Sequence, residues 1–200
     1  NLPILHRGMS VPDGGFEENG HDGFGLTSKY EIRACDPVTW RFGADIDVSS
    51  GWLRETQPEP FGFFPGDTRF PTGVHYDYTV DTTMLALWGE AEWEVRDGLI
   101  ILAGLRGETH EYDYTTDVPA GTYGRFLVPD DREDSFDLLT PKLGMIWTPS
   151  GSTVSYYANY ARGERAPQAS DLYRLQSQQG VAEAGVETMD SIEIGARGSA

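Results

Sequence analysis

"DTTMLALWGEAEWEVRDGLIILAGLRGETH", residues 81–110, is the stretch on which the fold turns. Its odd positions run Thr83, Leu85, Leu87, Gly89, Ala91, Trp93 and Val95, while Trp88, Glu90, Glu92 and Glu94 occupy even ones. One face is apolar and the other carries three carboxylates in a row, the period of a β-strand. Arg96-Asp97-Gly98 reads as a tight turn. From Leu99 the chain returns with Ile101, Ala103, Leu105 and Gly107 on one face and Arg106, Glu108 and His110 on the other. Paired as a hairpin, the two halves put Arg106 on the glutamates' face, where opposite charges neutralise each other.

The alternation recurs on both sides of this hairpin. Val38 to Val48 sets Trp40, Phe42, Ala44, Ile46 and Val48 against Arg41, Asp45 and Asp47. Leu139 to Trp147 sets Leu143, Met145 and Trp147 against Thr140, Lys142 and Gly144. Val154 to Tyr160 sets Tyr156, Ala158 and Tyr160 against Ser155, Tyr157 and Asn159, and Ile192 and Ile194 oppose Ser191, Glu193 and Arg197. A weaker segment runs from Phe24 to Arg33, and no stretch reads as an amphipathic helix. Short links near Ala34–Pro37, Arg96–Gly98 and Pro149–Ser152 alternate with long ones at about Ser49–Val80, Asp117–Ser135 and Arg165–Met189. Such alternation predicts an up-and-down antiparallel sheet with two unlike ends.

Composition narrows the class. The chain holds 24 Gly, 12 Pro, 12% aromatic and only 38% hydrophobic residues, which suits an all-β protein with long loops. A net charge of −17 argues against a nucleic-acid partner, which would need concentrated Lys and Arg. Cys35 is the single cysteine, so no intrachain disulfide forms. The chain opens on Asn1-Leu-Pro-Ile-Leu, without the basic start and long apolar run of a signal peptide. No run of residues approaches the ~18 apolar positions of a transmembrane helix, a test that does not touch β-barrels. Two folds remain. A soluble β-sandwich binding module, such as a carbohydrate-binding one, would bury the apolar face, whereas a transmembrane barrel would turn it to lipid. The barrel is favoured by strands of about 10 to 15 residues against the usual ~5 to 6, and by Trp40, Trp93, Trp147, Tyr156 and Tyr160 near strand ends. An enzyme or adhesin on a smaller barrel is a third reading.

"LLTPKLGMIWTPSGSTVSYYANYARGERAP" (138–167), then "SDLY" (170–173) and "ETMDSIEIGARG" (187–198), resembles the TonB-dependent outer-membrane receptors. In that family a Thr-Pro-Lys-x-Gly strand turns tightly into one ending in Arg-Gly-Phe-Arg-Ala-Pro, and a Glu-Thr-x-x-Ser-x-Glu-x-Gly strand descends after a loop. Glu164 stands where the family pattern has an aromatic. "WRFGADID" (40–47) and "LAGLRGE" (102–108) resemble further strands of the same barrel. The resemblance implies an antiparallel up-and-down transmembrane β-barrel segment, with long external loops and short periplasmic turns. Residues 1–200 would supply about seven of the ~22 strands of such a barrel, with the plug domain and C-terminal strands outside it. It further implies a bacterial outer-membrane location, no catalysis and no cofactor. The implied partners are outer-membrane lipid, an iron chelate (siderophore or haem) or similar nutrient, and a TonB complex engaged through a separate N-terminal region.

Candidate ligand contacts follow from that reading. The loop "PEPFGFFPGDTRFPTG" (58–73) gathers Phe61, Phe63, Phe64, Arg69 and Phe70, able either to stack on an organic ligand or to pack the loop on itself. Arg41, Arg106, Lys142, Arg165 and Arg197 fall on the polar face, as anion-steering groups or as charge balance for nearby carboxylates, and His110 is either a contact for iron or haem or an ordinary polar residue of the lumen. "HEYDY" (110–114) aligns His110, Tyr112 and Tyr114 on one face, while His6, His21 and His75 are scattered. No metal motif or nucleophile elbow is present in the sequence.

Overall fold

The computed structural model describes residues 4–6, 15–35, 37–179 and 184–198. Asn1 to Pro3, where a leader was sought, lie outside the described residues. Alternating sequence becomes strand throughout: β1 (Ile4–His6), β2 (Phe16–Cys35), β3 (Val38–Gln57), β4 (Gly73–Arg96), β5 (Leu99–Thr116), β6 (Gly121–Tyr123), β7 (Phe126–Val128), β8 (Arg132–Trp147), β9 (Val154–Arg165), β10 (Leu175–Gln176) and β11 (Glu187–Gly198). One short helix, α1 (Ala169–Tyr173), interrupts them. The main sheet is antiparallel with order β1-β2-β3-β4-β5-β8-β9-β11, each strand beside its neighbour along the chain apart from the inserted small elements. It stays open, as expected of a barrel segment. The short β1 lay below the threshold of the sequence pattern.

Register carries face identity across this sheet. Arg41 lies opposite Glu90, Glu90 opposite Gly104, Gly104 opposite Lys142 and Lys142 opposite Ala161. The other face presents Leu26, Phe42, Ile46, Leu87 (72% exposed), Leu105, Leu143 and Ile194 to the surroundings, with nothing described covering them. That bare apolar face does not favour the sandwich, whose second sheet would bury it. Trp40, Trp93, Trp147 and Tyr156 form a belt on this face at the short-turn end, and Trp52 sits on it toward the loop end. The dozen residues from Trp40 to Trp52 rise about 40 Å along β3, and a tilt of about 45° turns that into about 28 Å of height, close to a bilayer core. No helix is long and apolar enough to cross a membrane.

The short turns match expectation. Gly98 takes φ +74°, and a Cβ there would meet the Thr148 carbonyl oxygen at 2.2 Å, so the neighbouring turn needs glycine. The long connections are shorter than the sequence suggested. β3 runs on to Gln57 and β4 starts at Gly73, which shrinks the 49–80 loop to 58–72. The alternation persists there with its polarity reversed. Tyr76, Tyr78 and Val80, on the face of Glu90, are buried, and Asp77 and Asp81 take the face of Leu87.

What buries those tyrosines is a cap made from the loops. β6, β7 and β10 form a second, three-stranded sheet. Phe70, Phe126, Val128, Leu172 and Tyr173 close over Tyr76, Tyr78, Val80, Tyr112 and Tyr114 in one core. The Tyr173 ring stacks on Tyr114 at 4.4 Å. Helix α1 follows Pro167 after its N-cap Gln168, whose N–H donates to the Asp171 carboxylate at 3.2 Å.

Candidate functional site: rim, wall and clasp

The loop 58–72 ends in an aromatic cluster at the rim. Phe61, Phe63 and Phe70 meet edge-on at 5.2 to 5.9 Å. Phe70 is only 6% exposed and supports the cap, whereas Phe63 and Phe64 are 71% and 60% exposed. The Arg69 guanidinium lies 5.3 Å from the Phe63 ring centre and 5.5 Å from that of Phe64. Asp67 fixes it, accepting from Arg69 Nε at 2.9 Å and Nη2 at 2.7 Å, and from the backbone N–H of Phe63 and of Arg69 at 3.1 Å. The Arg69 side chain, with these backbone donors, holds the Asp67 carboxyl well below the usual carboxylate range. Two exposed rings with a guanidinium close to both can stack on a flat organic ligand and attract negative charge on it.

A second group lines the polar face of the sheet. Arg41 donates to Glu31 at 2.8 Å, Glu90 at 3.1 Å and Glu92 at 3.0 Å, and Lys142 to Glu90 at 2.6 Å. Arg106 pairs with Asp45 and with Glu108, whose other oxygen meets His110 Nε2 at 2.7 Å. Opposite charges do neutralise on this face, although Arg106 answers Asp45 and Glu108, and Arg41 and Lys142 answer Glu90 and Glu92. Such a ladder leaves little net charge against a low-dielectric apolar layer. The large side chains beside it cover glycines. Trp88 lies over Gly43, where a Cβ would stand 2.7 Å from the indole ring and 2.0 Å from the Ser28 carbonyl oxygen.

The fold, the bare apolar band and the charged ladder all describe a membrane barrel wall. A family model described as "TonB dependent receptor-like, beta-barrel" matches residues 10–199. The chain belongs to that family. No curated protein matches it. The protein is thus part of an outer-membrane receptor of the transporting type, with lipid on the apolar face and the lumen on the charged one.

In this receptor the eight ligand-contact candidates fall into three places. Phe61, Phe63, Phe64, Arg69 and Phe70 come together at the rim. Arg106 and His110 share Glu108 on the luminal wall. Arg165 stands apart at the upper end of β9, paired with Glu187 at 2.9 Å. Tyr112 and Tyr114, aligned with His110 in sequence, belong to the buried cap core instead.

A third cluster escaped the sequence. Arg174, just past α1, reaches Glu17 on β2 at 2.5 Å and Glu55 on β3 at 2.7 Å. His75 lies beside them, with its Nε2 2.6 Å from the Pro71 carbonyl, its Nδ1 3.6 Å from Glu55 and its ring stacked 3.8 Å from Phe126. A register shift opposite Glu55 and Thr56 turns His75 into the cap alongside Tyr76. No local pattern announces either feature. The bulge breaks the period, and Arg174's partners lie 157 and 119 residues away.

Proposed function

We propose that this barrel segment serves active uptake of an iron chelate, siderophore or haem, or of a similarly scarce nutrient, with first capture at the rim by Phe63, Phe64 and Arg69. The observation that carries this reading is the Asp67-braced guanidinium set against two exposed rings, 5.3 Å from Phe63 and 5.5 Å from Phe64. Phe61 and Phe70 hold the platform from below. Arg106, His110 and Arg165 then line the way down as paired groups whose carboxylate partners keep the path close to neutral. Energy for release into the cell would come through TonB and a plug supplied by other parts of the receptor, and residues 1–200 act as one sector of its barrel.

The test is growth under iron limitation of cells carrying the full receptor, supplied in turn with a ferric catecholate, a ferric hydroxamate and haem. Rescue by one of them, reduced in a Phe63→Ala/Phe64→Ala double variant with unchanged surface level, supports the reading. Growth no better than in receptor-less cells on all three overturns the iron assignment.

A further inference from the structure

β8 and β9 are neighbours in the wall that pair over only part of their length. Their ladder runs from Trp147 opposite Tyr156 up to Lys142 opposite Ala161 and stops there, although β8 reaches on to Arg132 and β9 to Arg165. Pro141 stands at the break and brings no N–H to a ladder. Two residues above it, the Leu139 N–H donates to the Glu164 carboxylate at 2.6 Å, so a side chain and not a main chain spans this seam. Glu164 is the residue that departs from the family's aromatic, and the bond gives that departure a structural role.

Two hollows meet at the seam. On the luminal side a cavity of about 260 Å³ lies between Arg106, Glu108, Thr140 and Gly163. On the lipid side a groove of about 990 Å³ is walled by Leu26, Ile46, Leu85, Leu87 and Leu139. Glu108, Leu138 and Glu164 line both, so the two adjoin across the wall. Register explains the groove's depth. Ala44, Leu87, Gly107 and Leu139 follow one another across four strands, so Leu87 and Leu139 stand up with a slot over Gly107 between them. The slot has room, because a Cβ on Gly107 would touch only Leu139, at 3.9 Å.

The groove lies within the apolar band, so what it meets there is acyl chain. Its upper end is acidic. Asp137 and Glu164 stand there, and among the described residues neither forms an ion pair. The nearby outward cation, Arg162, is held by Asp190 at 2.9 and 3.1 Å. A phosphate head is repelled by such a margin, whereas a head that donates hydrogen bonds is welcome, since a carboxylate accepts several and Leu139 supplies one. We infer that groove and seam together bind an acyl amphiphile from the outer leaflet. Its tail fills the slot over Gly107, and an uncharged hydroxyl- or amide-bearing head donates to Glu164. This goes beyond the uptake reading and does not depend on which nutrient the receptor carries.

The experiment uses the full receptor in phosphatidylethanolamine–phosphatidylglycerol nanodiscs, with a monoacylglycerol carrying a diazirine in its chain as the probe. After illumination, mass spectrometry should place adducts mainly on residues 85–87, 107–109 and 137–139. Unlabelled monoacylglycerol should displace them, and added phosphatidylglycerol should not. Gly107→Leu fills the slot and should lower these adducts on the order of tenfold, the cost of about two unburied methylenes, while adducts near Ile194 stay unchanged. Glu164→Ala removes the head's acceptor and should weaken displacement on the order of tenfold, the worth of one hydrogen bond to a charged group. It serves alone if Gly107→Leu does not assemble. Adducts spread over the whole band in proportion to exposure would mean ordinary surrounding lipid, and equal displacement by phosphatidylglycerol would mean that the head is not selected. Either result overturns the inference.

Discussion

Strands β4 and β5 pass through two surroundings, and their faces exchange roles between them. In the lower part Leu85, Leu87 and Leu105 point outward and Glu90, Glu92, Arg106 and Glu108 point inward. In the upper part, without any change of register, Asp77, Asp81, Glu111 and Asp113 point outward, and Tyr76, Tyr78, Val80, Tyr112 and Tyr114 point inward. Lipid rewards an apolar exterior and tolerates a paired polar interior, whereas water demands the reverse. Backbone pairing is indifferent to the change, so one ladder of hydrogen bonds serves both. Polarity along such a strand therefore reports what lies around it, and the inversion near Thr82 and His110 marks where the wall leaves the membrane.

The comparison can be broken from either side. The largest effect is expected in the upper region, from Tyr173→Ala. It empties a fully buried ring site stacked on Tyr114 and should cost the cap about 3–5 kcal/mol. Limited proteolysis should then cut the loops while the barrel keeps its heat-dependent gel mobility. If the wall melts with the cap, the two regions are one cooperative unit.

Next comes a matched pair on the outward face of β4. Leu87→Arg should destabilise the receptor by about 2–4 kcal/mol in bilayer unfolding, as a charge at lipid depth does. Asp81→Arg on the same face, above the band, should change it by less than about 1 kcal/mol. Equal effects would remove the proposed boundary.

Gly43→Ala probes the inner packing of the lower region, where the added carbon meets the Ser28 carbonyl and the Trp88 ring. A loss of about 1–3 kcal/mol is expected, checked by urea unfolding in micelles, and a neutral result would show that β2 and β3 can part locally.

The smallest effect concerns acid. Asp67 has its folded pKa depressed, so its contribution to loop order is complete above the ordinary carboxylate value and is lost only as pH falls through the lower folded value. Protection of the 58–72 amides, taken relative to their intrinsic exchange rate at each pH, should hold steady down to about pH 4 and fall below it. Asp67→Asn should show faster exchange at neutral pH without that acid step.

Much of this was legible in the sequence because the membrane enforces alternation strictly. The hairpin of residues 81–110, its turn at Gly98 and the luminal side of Arg41, Arg106 and Lys142 all follow from period and charge. The rim cluster was legible too, since Phe61, Phe63, Phe64, Arg69 and Phe70 are close in sequence. The upper strands were not, because carboxylates such as Glu55 and Asp77 beyond the apolar band looked like loop once lipid was assumed outside. The cap core was hidden for another reason. Its halves, Tyr114 and Tyr173 for instance, are joined only by the fold, and His75 enters through a bulge that defeats periodic reasoning.

The Arg174 salt bridge to Glu17 and Glu55 has a consequence for assembly order. Arg174 must find carboxylates 157 and 119 residues earlier in the chain, on strands laid down before β4, β5, β8 and β9. Slipping any intervening hairpin by one residue would swing Glu17 and Glu55 to the opposite side of the sheet, out of its reach. The salt bridge can therefore close only on a correctly threaded wall, which makes it a late checkpoint on the registry of every strand between its partners.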